Sequence, residues 1–126
     1  MGRKFRTISV NGQKFVWWYK ISEEETAVHV SPFGDKTSVV SIVFPDRDGK
    51  PCYQSGFSYH ESVVMTKDDE EYCVKIVSPK MAGLILTYLT GQDEGIVARK
   101  KVIRNGYELL AQMGYQVTEV KWGLYW

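Results

Sequence analysis

The chain reads as an α+β domain: a mainly antiparallel sheet from the N-terminal half, packed by two C-terminal helices, with a closing C-terminal strand. Three observations predict this. Before residue 78 the apolar residues alternate or cluster in β-branched runs separated by turn chemistry, and after it they recur at helical spacing. Ser78-Pro79 marks the change, with a hydroxyl N-cap followed by proline at the first helical position. From Gln116 to Trp126 the pattern alternates once more.

The first element is a hairpin. Asn11-Gly12 lies between the runs Phe5 to Val10 and Lys14 to Ile21, and a type I′ turn needs positive φ at both central residues, which suits Asn-Gly. That turn sets a register of Val10 with Gln13, Ile8 with Phe15, Arg6 with Trp17, and Phe5 with Trp18. Ile8, Val10, Phe15, Trp17 and Tyr19 form the expected core face, where Arg6 lies opposite Trp17 for a cation–π contact. The other face carries Phe5, Thr7, Ser9, Lys14, Val16 and Trp18, so its two aromatics lack an obvious cover.

Ser22-Glu23-Glu24-Glu25 is a polar connection to a short strand, Ala27 to Val30, which Ser31-Pro32 ends. Phe33-Gly34-Asp35-Lys36 is a turn. Thr37 to Phe44 is too rich in β-branched residues for a helix and too apolar for an edge, which makes it a central strand. Pro45 to Pro51 is a loop. Glu61 to Met65 is a further short strand, Lys67 to Glu70 an acidic turn, and Tyr72 to Val77 a strand.

In the first helix Met81, Leu84, Ile85, Tyr88 and Leu89 share one face, and Gly91 stops it. Asp93-Glu94 opens a second helix in which Val102, Ile103, Tyr107, Leu110 and Met113 share a face. Gly106 lies in its interior at a cost of about 1 kcal/mol relative to alanine. In the closing strand, Val117, Glu119 and Lys121 alternate with Thr118, Val120 and Trp122.

At 126 residues and 44% hydrophobic content the chain supports one core, so residues 1–126 are expected to form a single domain. Its net charge of +1 creates no global field towards nucleic acid or membrane. No apolar run approaches the roughly 20 residues of a membrane span, and Met1 to Arg6 leads into a strand rather than an apolar signal core. The expected location is cytoplasmic. Arg6 stands where a myristoylation signal requires Ser or Thr, which excludes that reading of Gly2.

Chemical motifs are sparse. His29 and His60 are the two histidines, and neither forms a metal-ligand spacing with the other or with Cys52 and Cys73, so no metal is expected. Both cysteines are expected to be free, with Cys73 packed inside its strand. The nearest approach to a nucleophile–base set is Cys52, His60 and Asp48, with Tyr59 and Asp46 close by, but no glycine elbow or cysteine signature supports it. The acidic runs Glu23-Glu24-Glu25 and Asp68 to Glu71 suit solvated turns and lack calcium-loop spacing. No phosphate loop follows a strand, and no cofactor is implied.

Two surfaces remain. Arg99, Lys100, Lys101 and Arg104 are expected to form a basic cluster on the second helix, with Lys100, Lys101 and Arg104 along one solvent stripe that would meet a few phosphates. The aromatic residues Phe5, Trp18, Trp122, Tyr125 and Trp126 either lie under an internal layer or make a partner surface, because Trp and Tyr are enriched in interface hot spots. A homodimer through this face would also cover them.

The segments Ile8 to Trp17 and Val74 to Met81 resemble small uncharacterised bacterial proteins that share an I-x-V-x-G-x-x-Y/F hairpin and a strand leading into a Ser/Thr-Pro helix. This resemblance implies the shared outline and transfers no activity or binding residue. The expected helix between Gln92 and Met113 departs from that outline. The resulting expectation is a small non-enzymatic interaction module, accessory or immunity-like, that binds a protein partner or itself. The alternatives are a small enzyme or ligand-binding protein with a sheet–helix pocket, and weak nucleic-acid binding through the basic helix.

Overall fold

The computed structural model describes residues 5–21, 25–45, 58–91, 96 and 99–125, with the side chains at 58–61 and 121–125 left aside. Two sheets share one interior. The larger has the order β1-β2-β3-β4-β7, built from β1 (Arg6–Val10), β2 (Gln13–Ile21), β3 (Glu25–Pro32), β4 (Val39–Pro45) and β7 (Lys101–Asn105). The smaller is β6-β5-β8, from β5 (Ser58–Lys67), β6 (Glu70–Lys75) and β8 (Gln116–Tyr125). The helices are α1 (Pro79–Thr90) and α2 (Gly106–Gln112).

The opening hairpin has the expected register, from Val10 with Gln13 to Arg6 with Trp17. Asn11 and Gly12 have φ of 52° and 80°, the double positive values of a type I′ turn. Asp68 and Asp69 repeat the device between β5 and β6, with φ of 52° and 64°. Phe15 and Trp17 are each only 1% exposed, and the Arg6 guanidinium lies 5.4 Å from the Trp17 ring centre. β4 is central, as its density of β-branched residues implies.

The core is continuous across both sheets and both helices. Trp17, Val28, Val30, Val40, Ile42 and Phe44 come from the larger sheet, Val63, Met65 and Val74 from the smaller, and α1 contributes Met81, Ala82, Ile85, Leu86 and Leu89. The Ser78 hydroxyl caps α1 by accepting from the Met81 N–H at 3.1 Å. Because α1 touches β1, β3 and β6, its buried stripe is wider than the expected face. Ala82 and Leu86 are fully inside, whereas Leu84 and Tyr88 are half-buried at the margin.

The expected single sheet is two sheets, and the closing strand β8 pairs with β5 in the smaller one. The larger sheet is mixed, since β7 runs parallel to β4. A parallel neighbour requires a long crossover, and the chain between residues 46 and 100 supplies it through the smaller sheet and α1. The expected strict alternation in β8 also fails. A bulge at Val64/Met65 opposes Glu119 to Val64 and Val117 to Met65, so Val117 and Val120 both pack on the core although three residues apart. Thr118 bridges the irregularity by donating to the Val64 carbonyl at 3.2 Å.

The long second helix is the largest correction. Residues 101–105 form β7, and among the described residues from 96 to 113 only Gly106–Gln112 are helical, while Asp93 and Glu94 lie outside the described residues. Val102 and Ile103 therefore point to opposite sides, and Ile103 is 76% exposed instead of sharing a buried helical face. Asn105 ends the strand and caps α2, its side-chain oxygen accepting from the Glu108 N–H at 3.0 Å. Asn-x-x-Glu at 105–108 is the sequence signal for this start. Cys73 is exposed rather than packed, because Tyr72 and Val74 take the inward positions of β6.

Gly106 is not a weak point inside a helix but the site of closest approach between α2 and the sheet. A Cβ there would lie 2.4 Å from the Phe44 ring, whereas one at Gly83 would meet Ile8 Cδ1 at an ordinary 3.6 Å. The two glycines should therefore respond with opposite signs. Gly106→Ala is expected to destabilise by about 1–3 kcal/mol through overpacking, and Gly83→Ala, in a helix interior, to stabilise by up to about 1 kcal/mol. Urea unfolding of the two variants measures both.

One polar clamp ties the β3–β4 turn to the entry of β7. Asp35 accepts from the Thr37 N–H at 2.9 Å, from the Thr37 hydroxyl at 2.6 Å and from the Ser38 hydroxyl at 2.8 Å. Ser38 Oγ in turn accepts from the Arg99 N–H at 2.8 Å. The bonds from Thr37, then Ser38, hold the Asp35 carboxyl down from 3.8 to about 2. A carboxylate lowered in the folded state stabilises fully above its unfolded pKa and loses that contribution as pH falls through the folded one. The stability advantage of the native chain over Asp35→Asn should thus be complete above about pH 4 and vanish towards pH 2, as thermal unfolding across that range will record.

Candidate interaction surface

The side of the larger sheet turned away from the core carries one row of cross-strand neighbours. Trp18 on β2 is opposite His29 on β3, His29 is opposite Ser41 on β4, and Ser41 is opposite Ile103 on β7. Phe5, just before β1, extends the row, with its ring 5.2 Å from that of Trp18 at 63°. Strand alternation produces this arrangement: Trp17, Val28 and Ile42 turn inward, so their chain neighbours Trp18, His29 and Ser41 turn outward.

The middle of the row is internally joined. The Trp18 and His29 rings stack at 5.3 Å and 24°, and His29 Nδ1 is hydrogen-bonded to Ser41 Oγ at 2.8 Å. The ends are open, with Phe5 51% exposed and Ile103 76%. Among the described elements both helices pack from the opposite side, α1 through Gly83 near Ile8 and α2 through Gly106 against Phe44. Val16 and Val43, both half-buried, widen the apolar surface above and below the row.

Trp18 itself differs from expectation. It is 8% exposed, so it forms the floor of the surface rather than a projecting anchor. Its indole Nε1 is buried without a hydrogen-bond partner, and such a group costs about 1–3 kcal/mol. Of the other expected aromatics, Trp122 and Tyr125 lie on β8, paired with Glu61 and Ser58, and their side chains and Trp126 are outside the described residues. Ile103 is the residue that sequence reasoning missed. The signal was two adjacent β-branched residues between Lys101 and Arg104, which favour a strand over a helical stripe.

The basic residues do not form one helical stripe. Arg99 sits in a turn with φ of 61°, Lys100 follows, Lys101 opens β7, and Arg104 bonds through Nη2 to Gln112 Oε1 at 2.8 Å. Lys101 and Arg104 have opposite parity in the strand and so face opposite ways. Asp46, Asp48 and Cys52 lie outside the described residues. His60 and Tyr59 have described backbone only, on β5 opposite Gly123 and Leu124. Among the described residues no group of three His, Cys, Asp or Glu side chains is placed to hold a metal ion, and no helix is long and apolar enough to cross a membrane.

Comparison with known protein families, curated proteins and solved structures finds no match to this chain. The Phe5–Trp18 contact should be measurable directly: a double-mutant cycle with Phe5→Ala and Trp18→Leu is expected to give a coupling energy of about 0.5–1.5 kcal/mol in chemical denaturation.

Proposed function

We propose that this protein is a small non-catalytic interaction module, accessory or immunity-like, whose outer sheet face binds a protein partner or a second copy of the chain. The carrying observation is Ile103, 76% exposed at the end of a cross-strand row that finishes at Phe5, 51% exposed. An exposed isoleucine and phenylalanine on a rigid five-stranded sheet give a partner apolar area at little ordering cost. The half-buried Val16 and Val43 and the indole floor provide the flat apolar centre that an interface core uses.

The test places a photo-crosslinking amino acid at position 103 in the full chain and follows self-association by sedimentation in parallel. A discrete adduct, with itself or with one other protein, is expected, and Phe5→Asp should weaken the association by roughly 30-fold or more, as for a hot spot. A chain that stays monomeric to about millimolar concentration and gives no adduct above that of a crosslinker at exposed Glu108 would overturn the reading.

A further inference from the structure

Among the described strands, β1 is an edge of the larger sheet. The hairpin turn makes Val10–Gln13 a hydrogen-bonded pair, so pairing alternates along the ladder and Thr7 and Ser9 direct their N–H and C=O groups away from β2. Beside Ser9 runs an open groove of about 740 Å³, within the size range of ligand clefts. α1 makes its floor with Gly83, Leu84 and Thr87, while Lys67 and Tyr115 form the far wall. At one end Asn11 Nδ2 donates to Thr90 Oγ1 at 3.3 Å, closing the groove below the turn.

Among the described residues lining this groove, the charged side chains are Lys67 and Lys80. The Lys67 ammonium lies 4.9 Å from the Tyr115 ring centre, and neither lysine forms an ion pair among the described residues. Lys67 also borders the neighbouring concavity, which Asp68, Asp69, Glu70 and Glu71 line with Gly114 and Gln116, so Lys80 is the lysine that faces the groove alone. A strand at the edge of the described sheet, a partly apolar floor and two ammonium groups without an ion pair among the described residues have the components of strand addition.

We propose that the groove beside β1 binds an extended acidic peptide segment of a partner protein, which adds to the sheet as a strand next to β1. Its backbone bonds Thr7 and Ser9, its apolar side chains rest on Leu84 and Ile8, and its carboxylates meet Lys67 and Lys80. The charge pattern selects this occupant over a second copy of the chain, because pairing β1 with itself would bring two sets of Lys67, Lys80 and Arg6 together. The five residues of β1 span about 17 Å, which suits a peptide of comparable length.

Fluorescence anisotropy with the full chain tests this, using as the probe a labelled octapeptide, Leu-Thr-Glu-Thr-Leu-Thr-Glu-Thr, in which leucine and glutamate alternate along one strand face. Saturable binding is expected, with at least a tenfold loss for the counterpart with lysine in place of glutamate and for Lys80→Glu. Ser9→Pro, which removes an outward N–H at an edge where proline is tolerated, should have a similar effect. The same loss is expected when alternate amides of the peptide are N-methylated, a control that needs no protein variant. Ile103→Lys should leave binding unchanged, which separates this site from the outer face. No saturation by roughly 1 mM, undiminished binding of the N-methylated peptide, or tighter binding of a single-stranded DNA octamer would each overturn the proposal.

Discussion

The structure depends first on the Asn11-Gly12 turn. With positive φ at both residues it closes a two-residue connection and sets Val10 against Gln13, after which strand periodicity leaves no freedom. A slip of one residue would turn every side chain of β2 over. Trp17 would leave the core and Trp18 would enter it. Because β3 and β4 continue the same transverse rows, the turn also sets the order Trp18, His29, Ser41 on the outer face and the direction of the free groups along β1.

The second constraint is the contact between Phe44 and α2. Phe44 has no exposure and stands edge-on to Tyr107 at 5.4 Å. Glycine at 106 lets the helix start directly above the ring, so β7 must end at Asn105 and pass immediately into α2. That short strand–helix passage carries β7 alongside β4 and leaves Ile103 facing outward. The interior contact and the exposed isoleucine are consequences of one backbone path. The Asp35–Ser38–Arg99 clamp fastens the other end of β7, where the Val39 N–H also donates to the Lys100 carbonyl at 3.0 Å.

The readable parts of the fold were those governed by local chemistry. Asn-Gly, Ser78-Pro79 and the β-branched run in β4 each depend on neighbours within a few residues, and each is found where its chemistry requires. The segment from Asp93 to Met113 misled because Val102, Ile103, Tyr107 and Leu110 satisfy helical spacing while the chain alternates between two kinds of element. Asn105-Gly106-Tyr107-Glu108 held the boundary signal, but its glycine also fitted a helix interior if Phe44 was unknown. Cys73 and the Val117/Val120 pair were hidden for a similar reason: a bulge and a two-sided strand decide them, and neither is a property of local spacing.

Of the candidate site, Phe5 and Trp18 were legible as outward neighbours in a hairpin, whereas Ile103 was not, because a parallel partner more than fifty residues away places it there. Sequence by itself determined the hairpin register, the α1 start, the α+β class and the inward choice of Trp17, since backbone sterics and side-chain periodicity act over short distances. Tertiary structure alone decided that the strands divide into two sheets, that β7 runs beside β4, and that Trp18 is a floor between Phe5 and His29. Those outcomes depend on how distant segments fill a shared core, and only the packed chain specifies that.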